Sequence, residues 1–246
     1  MGLDMHYSLE AHVYSSEENR IHTAWALILN GRFIFEQDMF VLLNLDKYKA
    51  IVAGENRQDI VLFEQKYLRE FIYDNIKFAF MAETILKGFF LYKGYMVHIF
   101  YQKAESGEKK IINNRTPTLF DQINMGLFDD YNKSDEISHP HIAKRTLSFT
   151  DLTRGKYKKI LKDHDFMDDN LINIFSRMND IKNNYHFYKT PVCFFNNEAL
   201  EEFEKIRVFI NLKVKPLEKE ISNILQTFVP VSKHSSHCTT EKAAVS

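Results

Sequence analysis

Apolar residues recur three and four positions apart along most of the chain, and that spacing marks one face of an α-helix. The stretch "IHTAWALILNGRFIFEQDMFVLLNLDKYKAIVAG" (21–54) predicts one or two helices closing near Gly54. A long helix follows from about Asp59, a suitable N-cap, to Gly94, with Ile60, Phe63, Tyr67, Phe71, Phe78, Ile85 and Phe89 at helical spacing. At 1.5 Å per residue it spans roughly 50 Å, and a bend is expected near Gly88. Residues 103–118, polar and holding Gly107 and Pro117, predict a loop, as does "DYNKSDEISHPH". Thr150 or Asp151 is expected to start a helix through "RGKYKKILKD", and Asp168-Asp169 to cap the next, "NLINIFSRMNDIKNNYHF", whose length Pro191 limits. Asn197 opens the last helix, with Glu198, Glu201 and Glu202 near the positive end of its dipole. Its apolar stripe runs Phe203, Ile206, Ile210, Val214, Leu217, Ile221, Ile224, Phe228, and Pro216 should kink it without ending it. Past Pro230 nothing apolar remains to bury, so 229–246 reads as a disordered tail.

Strand patterns are scarce, and the fold class is all-α: an antiparallel helical bundle with extra N-terminal helices. Composition agrees, with 21 Phe and 12 Tyr against 8 Gly and 5 Pro. A net charge of −1 provides no global field for nucleic acid, so any such binding rests on a local patch. Cys193 and Cys238 lack ligand spacing, and a cysteine in the tail fits a reducing, cytoplasmic compartment. His139 with His141, and His234 with His237 and Cys238, lack the two separated ligand pairs of a structural zinc site. No metal or cofactor is expected, since phosphate-cradling glycine loops and dinucleotide fingerprints are also missing. The N-terminus has no signal region; Met1-Gly2 begins like a myristoylation site, but His6 stands where Ser or Thr is needed. Lys77, Glu83, Lys87 and Lys93 interrupt the best candidate for a membrane span.

Two remote stretches carry the candidate chemistry. "ETILKGFFLYKGYMVH" places Glu83 and Lys87 four apart among apolar neighbours, with His98 after Gly94. Alone, the pair reads as an ordinary surface ion pair. The second stretch, "NDIKNNYHFYK", holds His186. At about 100° per residue, Lys182 lies about 40° from His186 and Asn179 about 20° to its other side, with Asn183 adjacent. Arg177, nine residues before His186, faces the opposite side of an unbroken helix. The plain alternative for His186 is a helix-end histidine against the negative dipole end. The strip Arg154, Lys156, Lys158, Lys159, Lys162 reads either as a phosphate track or as a solvated helix face.

The first stretch resembles the first core helix of the HEPN superfamily, with its Glu, Leu-Lys and apolar run ending in Gly and His. In that family a later helix carries an Arg, then a His after four to six intervening positions; "IKNNYHF" sits where that motif belongs. The window before His186 holds Ile181, Asp180 and Asn179 instead of an arginine. The resemblance covers about 58–228, with 1–57 as a helical extension. It implies a metal-independent endoribonuclease acting on cellular RNA in a bacterial defence or toxin–antitoxin setting. His186 would activate the ribose 2′-hydroxyl, Lys182 or Arg177 would contact the phosphate, and Asn183 and Glu83 would support them. It further implies a homodimer, with a cognate antitoxin or other partner protein. The missing arginine leaves a second expectation open: a HEPN-like module that has lost catalysis and serves in dimerisation, RNA binding or partner binding.

Overall fold

Ser16 starts the first helix by accepting a hydrogen bond from the Asn19 N–H at 3.1 Å, and Glu17 and Glu18 follow at the positive dipole end. This helix, α1 (Glu17–Asp38), precedes α2 (Leu45–Ala53) and the long α3 (Arg57–Tyr92) in a computed structural model of the chain. The structure describes residues 13–14, 16–39, 44–54, 57–103, 109–111, 117–119, 121, 142–186 and 197–228. Beyond α3 lie β1 (His98–Lys103), β2 (Lys109–Ile111), β3 (Ile142–Thr146), α4 (Phe149–Leu152), α5 (Gly155–Asp163), α6 (Asp169–His186), α7 (Asn197–Phe209), a π turn (Ile210–Val214) and α8 (Lys215–Phe228). Helix makes up 82% of the described residues, so the class is all-α as the periodicity predicts.

Helix α3 is the axis of the bundle. It buries Phe78, Ala79, Met81, Ala82, Ile85, Leu86, Phe89 and Phe90, which cover about half the circumference of its second half. Helix α1 covers one side with Ile21, Ala24, Ile28 and Phe35. Helix α7 brings Phe203, stacked on Phe78 with centroids 5.4 Å apart. Helix α6 covers a third side, and Phe166, just ahead of it, stacks on Phe89 at 4.1 Å. The α1–α3 seam is close because each helix offers a glycine. A Cβ on Gly88 would lie 2.9 Å from the Ala24 carbonyl oxygen and 2.8 Å from Ile28, and one on Gly31 would lie 2.5 Å from Ile85. The helix is continuous through Gly88, and that residue serves close packing.

Helix α3 stops in a Schellman turn. Gly94, at φ +85°, donates to the Leu91 carbonyl at 3.0 Å, Tyr95 donates to Phe90 at 2.8 Å, and the Phe90 and Tyr95 rings meet edge to face. The buried Arg20 of α1 adds a second donor to the Leu91 carbonyl from Nη1 and, at 3.2 Å, donates to that of Tyr92. On the other flank, Arg32 forks Glu218 of α8 at 2.5 and 3.1 Å, which ties α8 to α1. Helix α1 thus packs into the same hydrophobic cluster as α3 and α8.

Three expectations need local correction. A three-stranded antiparallel sheet of order β2-β1-β3 forms, with His98 opposite Thr146, β2 inside the predicted loop 103–118, and β1 and β3 in stretches for which no element is predicted. A short apolar run after a long helix does not declare its period. The helix expected from 150 or 151 is two helices. Ser148 and Asp151 form a capping box on α4, and Gly155 at φ +53° breaks the chain before α5. Pro216 does not end the last helix, but the accommodation lies upstream, in the π turn, where Lys215 donates to Ile210, five residues back. A proline ring collides with the carbonyl four residues before it, and a wider turn relieves that clash. Asp168 caps α6 as predicted, accepting from the Leu171 N–H at 2.8 Å. The expected tail, 229–246, lies outside the described residues.

Alanine has the higher helix propensity by about 1 kcal/mol, yet overpacking in a tight seam costs about 1–3 kcal/mol. Gly88→Ala is therefore expected to lower stability in urea unfolding. A gain would show that α1 can move away from α3.

Candidate functional site

Glu83 sits mid-way along α3, on the side covered by α6 and α4. Its carboxylate accepts from Lys87 Nζ at 2.6 Å and from the Phe149 N–H at 3.3 Å. Lys182 Nζ of α6 approaches Glu83 Oε2 at 3.8 Å. The Phe149 N–H belongs to the first turn of α4, where no carbonyl of that helix can receive it, and the Ser148–Asp151 box aims the turn. Side-chain exposures are 20% for Glu83, 18% for Lys87 and 13% for Lys182. Two ammoniums therefore share one carboxylate in a cleft largely withdrawn from water, and one positive charge is left over. Such an arrangement favours an anion. Lys182 also lies over the ring of Phe80, its Nζ 5.0 Å from the centroid.

Behind the cleft, His98 is buried. The Tyr14 hydroxyl accepts from the Val97 N–H at 3.1 Å and shares a hydrogen bond of 2.6 Å with His98 Nδ1. Burial, aided by the charge of Lys87, lowers the His98 pKa to about 4, and the ring is neutral at physiological pH.

The site residues predicted from sequence divide as follows. Glu83 and Lys182, 99 residues apart in the chain, are brought together. Asn183 is exposed on α6 beside Lys182. Position 186 is the last of α6, one turn beyond Lys182 and about 40° round the helix; the His186 side chain lies outside the described residues. Arg177 is not at the cleft. It points to α7, paired with Glu202 and, at 3.9 Å, with Glu198, as its half-turn offset from position 186 requires. Asn179 is buried.

In the basic strip, Lys158 and Lys162 reach Asp169 at 2.8 and 2.6 Å and clamp α5 to the start of α6. Hydrogen bonding to Lys158 and Lys162 holds the Asp169 carboxyl below its usual range. His139, His141, Cys193, His234, His237 and Cys238 lie outside the described residues. Among the described residues no cluster of three His, Cys, Asp or Glu could hold a metal, and no helix is long and apolar enough to cross a membrane. Sequence reasoning missed the Phe149 N–H, which the Ser148-x-x-Asp151 spacing signals, and Tyr14, for which no local pattern exists.

Glu83→Ala leaves two ammoniums facing each other and is expected to cost about 1–3 kcal/mol in denaturant unfolding. Adding Lys182→Met should recover part of that loss; strict additivity of the two changes would mean the contact is not energetically real. His98 sets a second expectation. Its folded pKa, about 4, lies below its unfolded value near 6.5. The unfolded chain therefore binds the extra proton first as pH falls, and stability drops from about pH 6.5 to 4, by on the order of 3 kcal/mol. His98→Asn, which keeps a hydrogen-bond partner for Tyr14, should flatten that acid limb, measured as unfolding midpoint against pH.

Comparison with protein-family models, with curated proteins and with solved structures finds no match.

Proposed function

We propose that the α3–α6 cleft binds an RNA phosphodiester and that the protein is a HEPN-like, metal-independent endoribonuclease. The observation that carries this reading is the meeting of Lys182 with Glu83, on the helix face that continues to position 186. In the proposed reaction His186 takes the proton from the ribose 2′-hydroxyl, and the oxygen attacks phosphorus. The bond to the 5′-oxygen breaks, that oxygen takes a proton from water, and a 2′,3′-cyclic phosphate remains. Lys182 stabilises the charge that develops on the phosphoryl oxygens, as a point ammonium without the bidentate fork of arginine. Glu83 fixes Lys182, and Asn183 offers an amide beside it. A homodimer, a cytoplasmic location, a cognate antitoxin and a bacterial defence setting go with the same reading.

A second reading rests on one specific observation. Arg177 is engaged by Glu202 and Glu198, so it does not serve the cleft. A HEPN-like module that binds RNA or a protein partner without cleaving fits that arrangement.

Incubation with structured RNA in EDTA separates the two. Cleavage to cyclic-phosphate ends is expected, reduced about 10²–10⁴-fold by His186→Ala and about 10²–10³-fold by Lys182→Ala. Binding without cleavage selects the second reading, and equal cleavage by the native chain and His186→Ala removes the first.

A further inference from the structure

Helices α3 and α6 run antiparallel, since Phe166, ahead of α6, meets Phe89, while Lys182, near its end, meets Phe80. Helix α6 ends at His186, but α3 continues back to Arg57. The face of α3 that leads out of the cleft carries Lys87, Phe80, Lys77, Tyr73 and Arg69. At about 100° per residue these five positions fall within roughly 80° of one another.

Two of them are large aromatic residues left in solvent, Tyr73 at 44% and Phe80 at 49% exposure, while Phe71 and Phe78, two positions before each, are buried. Tyr73 and Phe80 are seven residues apart, a rise of about 10.5 Å. The cations alternate with them. Lys77 stands between the aromatics, 3.9 Å from the buried Asp74; Arg69 lies at the outer end, paired with Glu70 at 2.8 Å; Lys182 lies over Phe80. Acids on or beside this face are Glu83, Glu70 and Asp74, and each has a cation as its neighbour.

A lipid surface or a partner helix calls for contiguous apolar area, whereas here single rings are separated by charges. Exposed aromatic rings interleaved with cations match a strand of stacked bases and phosphates. A stacked strand rises about 3.4 Å per nucleotide, so platforms about 10.5 Å apart hold bases about three positions apart. A duplex keeps its base faces inside the stack and has none to offer.

We propose that this face of α3 is a stacking track for single-stranded polynucleotide, with Tyr73 and Phe80 holding bases and Arg69, Lys77 and Lys182 contacting phosphates. The track delivers the strand to the Glu83–Lys87–Lys182 cleft. That the strand is RNA rests on the ribonuclease reading above; stacking and phosphate contact are indifferent to the sugar.

The test is fluorescence anisotropy of the full chain with a labelled, unstructured 12-nucleotide 2′-O-methyl RNA, which lacks the attacking hydroxyl, with DNA of the same sequence, and with a blunt RNA duplex. Both single strands are expected to bind within a few-fold of each other and more tightly than the duplex. Tyr73→Ala and Phe80→Ala should each weaken single-strand binding about 5–100-fold, Phe80→Trp should retain it, and Lys77→Gln should lower the salt slope by about 0.7. Circular dichroism confirms that each variant is folded. Equal affinity for duplex, or unchanged affinity in both alanine variants, overturns the track. So does absence of binding by the native chain, which would mean that the face is covered by another segment or a second copy. Cleavage is scored separately. A native chain that cleaves RNA with Tyr73→Ala and Phe80→Ala unimpaired keeps the ribonuclease and loses the track; one that binds through both rings without cleaving does the reverse.

Discussion

The close approach of α1 to α3 is the constraint on which the rest of the bundle depends. Gly31 and Gly88 let two backbones come within reach of each other's side chains, and a methyl group at either position meets Ile85, Ile28 or the Ala24 carbonyl. With α1 seated that deeply, Arg20 can reach the last carbonyls of α3 and Arg32 can reach Glu218 of α8. Helix α3 is then covered by α1, α6 and α7 over most of its second half, while Phe80 stays exposed and Lys77 partly exposed. Glu83 and Lys87 occupy the seam with α6 and α4, and their low exposure follows from the enclosure more than from their own chemistry.

Enclosure also changes what the Glu83–Lys87 pair is. On an open helix such a pair is worth a few tenths of a kcal/mol and is screened by salt. Within the seam the same carboxylate receives a second ammonium from α6 and a backbone N–H from α4, so three segments of chain converge on two oxygens. The shared carboxylate holds the segments in register, and these three side chains together carry one net positive charge. His98 behind it is kept neutral by burial and by the same lysine, so the polar interior holds no second cation close to Lys87 from that side.

Much of this was legible in the sequence. The span of α3, the Asp168 cap and the stripe from Phe203 to Leu217 and Ile221 follow from spacing alone, because long periodic helices declare themselves over many turns. The sheet around His98 did not declare itself, since its strands are three to six residues long and one pairs across a gap of some forty positions. The packing role of Gly88 was not legible, because a glycine in a helix looks the same in sequence whether it bends the axis or admits a neighbour. At the site, angular arithmetic separated Lys182 from Arg177 correctly. It had no means of finding that Arg177 would be taken up by Glu202, or that Tyr14, 84 residues upstream, would hydrogen-bond His98.

The wide turn at Ile210–Val214 gives one rod two allegiances. Before it, Phe203 addresses the aromatic rings of α3; after it, Ile221 and Leu225 lie buried on the helix that Glu218 fastens to α1. A π turn takes up one more residue than an α turn, and one residue corresponds to about 100° of rotation. The phase of the second half is therefore set by a single surplus residue. Removing it would leave both stripes intact in composition while turning one of them toward water, so the length of this segment is as strict a determinant of the architecture as any side chain in it.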